Sequence, residues 1–160
     1  MNIHEYQAKE LLSGYGVFIP MGGLAYSAAH AVYRASAIDA TSFLVKAQIH
    51  SGGRVGANGI VRCISEEEIR KAAEDLMGKR LVTRNTGPEG REVHRLYIEE
   101  ELEISKEYYV GFVLDRQMER IIVIASTHGG MDIENLSKED PDSVLRIIVE
   151  PAVGMQAFQA

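Results

Sequence analysis

The sequence predicts an α/β (α+β) fold in which a mixed sheet carries flanking helices. Strand-like and helical segments alternate through the first half of the 160 residues. Further on, two apolar runs flank a polar turn as the arms of a hairpin do. With 46% hydrophobic and 25% charged residues, the composition is that of an ordinary globular chain with enough apolar side chains for a core.

Ile3 to Leu12 reads as a helix whose face runs through Tyr6, Leu11 and Leu12, with Gly14 and Gly16 to end it. Pro20, Gly22 and Gly23 mark a turn, and Ser27 is an N-cap for a second helix over Ala28 to Ile38. Phe43-Leu44-Val45 opens a buried strand. A loop with Gly52, Gly53, Gly56 and Gly59 follows, and Ile60 and Val61 resume the apolar pattern, so the loop joins two extended segments.

Ser65-Glu66-Glu67-Glu68 is a capping box, with Ile69, Ala72, Ala73 and Leu76 on one helical face behind it and Gly78 as the stop. Arg80 to Arg84 and His94 to Ile98 read as strands around a loop at Gly87-Pro88-Glu89-Gly90. The second of these leads into an acidic segment, Glu99 to Glu103. Tyr108 to Leu114 and Ile121 to Ala125 pair across the turn Asp115 to Arg120, and Val144 to Val149 is a last strand. Phe43–Val45, Tyr108–Leu114 and Ile121–Ala125 are expected to share one core. One compact domain or two small lobes is the expectation for residues 1–160, with a glycine-loop lobe over about residues 21–98.

A net charge of −6 without a basic tail argues against a nucleic-acid partner. No apolar run approaches the roughly 20 residues of a membrane helix, and the polar start lacks the apolar core of a signal peptide. Cys63 is the sole cysteine, which excludes an internal disulfide and suits a reducing cytoplasm. Cys63 and His50 stand in no metal-ligand or triad spacing. Cys63 reads as packing, and His50 as a side chain hydrogen-bonded at the base of the loop. No residue is assigned to catalysis or to a metal.

The chemistry concentrates at Lys46 and the loop after it. Glycines let a backbone approach a ligand and turn its N–H groups toward an anion, and Lys46 and Arg54 add two positive charges. Together they can hold a phosphate chain; the competing reading is a hairpin tip with two solvated cations. Neither GxxxxGK[ST] nor GxGxxG is present.

MNIHEYQAKELL, VKAQIHSGGR and the segment Met77 to Thr83 occur together and in order. With Lys106 to Gly111, Asp115-Arg116 and Ala125-Ser126, they make the chain resemble the N-terminal part of the β subunit of ADP-forming acyl-CoA ligases. This is the succinyl-CoA synthetase group, which has an ATP-grasp fold. Thr86 to Gly90 and the ending Glu150 to Ala160 look most like the malate–CoA ligase branch.

The resemblance implies a nucleotide-binding β subunit that forms an acyl-CoA from malate or succinate, CoA and ATP (or GTP). It implies an α subunit as partner, which carries the phosphorylated histidine, and Mg²⁺ bound by residues beyond position 160. It places Lys46, Gly53, Arg54 and Val55 on the triphosphate, Glu99 and Leu102 on the base, and Glu107 on the ribose. A non-catalytic nucleotide-binding or docking module is the alternative. Where the family's turn reads GGRGKAGG, this chain has Gly52-Gly53-Arg54-Val55-Gly56-Ala57-Asn58-Gly59. A positive φ at the β-branched Val55 would cost about 1–3 kcal/mol.

Overall fold

The computed structural model describes residues 3–130 and 133–160. They fall into two compact units, Met1–Leu102 and Glu103–Ala160. The first begins with helix α1 (Glu5–Gly14), which starts two residues later than its apolar face suggests because His4 is its N-cap. Strand β1 (Gly22–Ala25), helix α2 (Ala28–Ser36) and strand β2 (Phe43–Ala47) follow, with Ser27 Oγ accepting from the His30 N–H at the α2 N-cap. After the glycine loop come β3 (Ile60–Cys63), α3 (Glu66–Leu76), the two-residue strands β4 (Arg80–Leu81) and β5 (Arg91–Glu92), and β6 (Leu96–Glu100). At the α3 start, Ser65 Oγ accepts from the Glu68 N–H, while the Glu68 carboxylate accepts from the Ile64 N–H.

The main sheet has the order β1-β6-β2-β3, and every neighbouring pair in it is antiparallel. The expectation of a mixed sheet fails for a topological reason. β1, α2 and β2 form the strand–helix–strand unit that the alternating pattern announced, and the two strands do run parallel. β6 inserts between them and pairs antiparallel to both, so they never touch as a parallel ladder.

Gly22 and Gly23, read as a turn, lie inside β1. The Tyr97 ring fills the space that a side chain at Gly22 would need, since a Cβ there would come within 2.5 Å of its hydroxyl. The expected strand from Arg80 to Arg84 is cut to two residues because Thr83 and Thr86 tie a side-chain turn at its end.

The period-two alternation of β2 decides what each face carries. Phe43, Val45 and Ala47 point into a core with Leu96 and Ile98 of β6, Ala31 and Ala35 of α2, and Ile69, Ala72, Ala73 and Leu76 of α3. Leu44 and Lys46 therefore point to the opposite face. In the register Leu44↔Glu99 and Lys46↔Tyr97, Lys46 and Glu99 are diagonal neighbours on that face.

In the second unit, β7 (Tyr109–Asp115), β8 (Arg120–Ser126) and β9 (Leu145–Val149) form an antiparallel sheet in that order. Helix α4 (Ile133–Glu139), which has no apolar stripe long enough to mark it in the sequence, precedes β9. The hairpin turn closes through the Asp115 carboxylate, which accepts from the N–H groups of Gln117 and Met118. The expectation that Phe43–Val45 shares one core with Tyr108–Leu114 and Ile121–Ala125 is not met. β2 belongs to one sheet and unit, β7 and β8 to another, because β2 finds its partners in β3 and β6. Among the described residues no helix is long and apolar enough to cross a membrane.

Candidate functional site

Helix α1 buries no residue of its own, yet it is fixed to the Lys46 face of the main sheet. Charge holds it there. Lys46 Nζ pairs with one Glu99 oxygen and lies 3.2 Å from Glu5 Oε1. Lys9, one turn on from Glu5, pairs with the other Glu99 oxygen and lies 3.3 Å from Glu5. Arg54 completes the group from the glycine loop, with Nη2 2.7 Å from Glu5 Oε2 and Nη1 donating to the Ala47 carbonyl at 2.8 Å. Gln48 adds Nε2 to Glu5 Oε2 at 3.3 Å and accepts from the Tyr6 N–H.

Three cations thus meet two carboxylates, a surplus of one positive charge. The pairs are largely out of water, with Glu99 side-chain exposure at 4% and that of Lys46 at 12%. Burial opposes ionisation of Glu5, but Arg54, Lys46 and Lys9 outweigh it and hold its pKa at about 2. Burial and the neighbouring Lys46 lower the Lys9 pKa, against the pull of Glu5.

A depressed carboxylate stabilises the fold above its unfolded pKa of about 4.5, and that contribution fades as pH falls toward about 2. Glu5 therefore contributes on the order of 3 kcal/mol at neutral pH, all of it lost across that acid window. The expected result is a urea midpoint that drops steeply below pH 4.5 in the native chain, with a distinctly shallower fall in Glu5→Gln. An unchanged acid slope in the variant would show that Glu5 is not held by these cations.

The glycine loop folds back on itself. The Arg54 carbonyl accepts from the N–H groups of Ala57 and Gly59, and the Val55 carbonyl from that of Asn58. Those three N–H groups are spent on the turn, while Gly53, Val55 and Gly56 are exposed. Gly53 has φ +72, the left-handed backbone that glycine adopts without strain. Val55 does not: the positive φ in this turn falls on Asn58, at 53°, a residue type that tolerates it. The anticipated strain at Val55 is absent, and its side chain points into solvent.

Glu99, assigned by resemblance to the base, is buried as the counter-charge of Lys46 and Lys9. Leu102 lies past the end of β6, partly exposed, just after Glu101 has paired with Arg62. Glu107 belongs to the second unit. Its carbonyl accepts from the Gly129 N–H at 3.1 Å, and its carboxylate lies where a side chain at Gly130 would sit. The structure therefore gathers Lys46, Gly53, Arg54 and Glu99 in one place, with Val55 on the rim of the same loop.

Two members of the cluster, Glu5 and Lys9, escaped the sequence reading. Their i, i+4 spacing on α1 was the available signal. His50 is not hydrogen-bonded at the loop base as expected; its ring stacks on that of His4, with centroids 3.8 Å apart. Cys63 is buried in the core, its pKa raised to about 11 by burial and by Glu68, so it is an inert packing residue. Among the described residues no group of three or more His, Cys, Asp or Glu is placed to hold a metal.

Residues 2–160 match the ATP-grasp domain family. The whole chain is 54% identical to the probable malate–CoA ligase subunit beta of Mesorhizobium japonicum, covering 41% of that protein. It is 49% identical to the ADP-forming succinate–CoA ligase subunit beta of Bacillus licheniformis, covering 42% of it. The chain thus spans about two-fifths of the length of these curated relatives.

Among solved structures, a Pyrococcus horikoshii protein superposes with a TM-score of 0.68 at 20% identity, over 92% of this chain and 58% of that one. The dinucleotide-forming acetyl-coenzyme A synthetase 1 of Candidatus Korarchaeum cryptofilum gives 0.65 at 22% identity, over 92% and 59%. At these identities the two structures speak for the fold alone.

Proposed function

This chain belongs to the ATP-grasp family, and on that premise we propose that it is the N-terminal nucleotide-binding region of the β subunit of an ADP-forming CoA ligase. The acid is malate or succinate, as in the relatives named above. The partner is an α subunit bearing the histidine that is phosphorylated, and the compartment is the cytoplasm. The observation that carries the reading is the surplus positive charge at Lys46, Lys9 and Arg54, the last on a loop whose Gly53 takes the left-handed backbone.

These residues fit a nucleoside triphosphate. Lys46 and Arg54 are held in place by Glu5 and Glu99 before any ligand arrives, so little side-chain entropy remains to be lost on binding. The backbone N–H groups from Gly53 to Gly56, which are not engaged in the turn, would add partial positive charge for a phosphate. ATP, or GTP, supplies the transferable phosphoryl group. The task of Lys46 and Arg54 is to hold the phosphate chain in line and offset its charge. Mg²⁺ would be held by residues beyond position 160. Glu107 would accept the ribose hydroxyls, as a carboxylate with two acceptor oxygens is able to do.

Because Val55 is unstrained, restoring the family's glycine there has nothing to relieve. In the full-length protein, Val55→Gly is expected to leave the affinity for ATP with Mg²⁺ unchanged. Gly56→Lys, which returns a cation to an exposed loop, is expected to raise affinity by no more than about tenfold. Calorimetric titration of the native protein and both variants checks this. Absence of ATP binding by all three would overturn the reading and leave a docking subunit in its place.

A further inference from the structure

Beside the N-terminus of α1 lies a second basic site that the nucleotide assignment leaves unused. It is a cleft of about 350 Å³, lined among others by His4, His50, Arg80, Arg91, His94 and Arg95. Glu92 is the one carboxylate lining it. Three arginines against one glutamate is a marked local excess in a chain of net charge −6.

The cleft is assembled by the fold. Arg80 and Arg91 lie on the two strands of the β4–β5 hairpin, in the register Arg80↔Glu92 and Leu81↔Arg91. The hairpin closes through Gly90, at φ +66, where a Cβ would come within 2.8 Å of the Leu81 carbonyl oxygen. Only glycine lets the two strands approach so closely and bring Arg91 to the wall.

Apart from a bond from Arg80 Nη1 to the Glu89 carbonyl at 3.2 Å, the charged side chains lining the cleft make only long contacts. Arg95 Nη1 donates to the Tyr6 hydroxyl at 3.4 Å, Arg80 Nη2 lies 4.0 Å from Glu92, and His94 Nδ1 lies 3.8 Å from the same carboxylate. His4 gives the independent sign of a ligand. It is 9% exposed, and its Nδ1 is buried without a hydrogen-bond partner, a costly state for a polar atom. Burial first, then His50, Arg95 and Arg54, lower its pKa, which favours the neutral ring.

We propose that this cleft binds a tetrahedral oxyanion, either inorganic phosphate or the phosphoryl group of a small molecule, gripped by Arg91, Arg95 and His4. The donors come from three directions: the α1 N-terminus, the β4–β5 hairpin and the segment entering β6. That spread suits the several oxygens of a phosphate better than a planar carboxylate, which a single guanidinium fork already satisfies.

The test follows the imidazole resonances of His4 and His50 by NMR in the full-length protein during titration with inorganic phosphate, and separately with succinate. Phosphate is expected to shift both rings saturably. Arg91→Glu, on the exposed hairpin, is expected to weaken binding at least about tenfold. His4→Phe, which keeps a stacking ring but no donor, is expected to weaken it as well, while Lys46→Ala leaves it in place. The proposal is overturned if phosphate shifts neither ring, if Arg91→Glu binds as the native protein does, or if Lys46→Ala abolishes the shifts. Equal affinity for succinate would overturn the preference for a tetrahedral anion. Should His4→Phe fail to fold, Arg91→Glu alone decides.

Discussion

Glu99→Ala is expected to destabilise the first unit by about 3–5 kcal/mol, the cost of stripping the partner from buried charges. Glu99 is 3% exposed and neutralises Lys46 with one oxygen and Lys9 with the other. Its loss leaves both ammonium groups facing each other, with only Glu5 between them. Helix α1 would then lose its main attachment, since it has no buried apolar residue to hold it. Urea unfolding followed by circular dichroism measures the loss. Glu101→Ala is the control, because Glu101 pairs with Arg62 at the surface and should barely move the midpoint. Equal effects of the two substitutions would show that the charge cluster does not anchor the helix.

Lys46→Ala is expected to weaken ATP binding about ten- to a hundred-fold, the scale of a charge-assisted contact to phosphate. The structure adds a second expectation: the variant should lose less stability than Glu99→Ala, because Glu99 still keeps Lys9. Calorimetric titration with ATP and Mg²⁺ in the full-length protein, beside a urea titration, separates the two effects. A variant that binds ATP normally but unfolds early would make Lys46 a structural counter-ion of Glu99 and remove it from the nucleotide site.

Both predictions depend on a juxtaposition that only folding creates, whereas the elements themselves were largely legible. The caps at Ser27 and Ser65, the strand at Phe43, the hairpin across Asp115 to Arg120 and the apolar stripe of α3 are local signals, carried by residues a few positions apart. β1 was missed because its glycines answer to distant residues: Tyr97 occupies the room at Gly22, and Arg34 that at Gly23. α4 was missed for want of a stripe, since it buries no described residue.

At the site, the sequence by itself offered Lys46, Gly53 and Arg54 as candidates, because a strand lysine, a glycine turn and an arginine within nine positions are able to hold an anion, and the family resemblance gave them their roles. It also determined that Cys63 packs, a single thiol ending an apolar strand before a helix cap. Tertiary structure alone decided what these cations do in the absence of a ligand. Glu5 and Lys9 arrive from a helix some forty positions upstream of Lys46, and Glu99 from a strand 53 positions downstream, brought into diagonal register when β6 inserts between β1 and β2. Tertiary structure also decided that the positive φ of the loop falls on Asn58 and not on Val55, because two N–H groups converge on the Arg54 carbonyl to close the turn. Coulombic pairing and sheet register depend on distance in space, and a sequence records only distance along the chain.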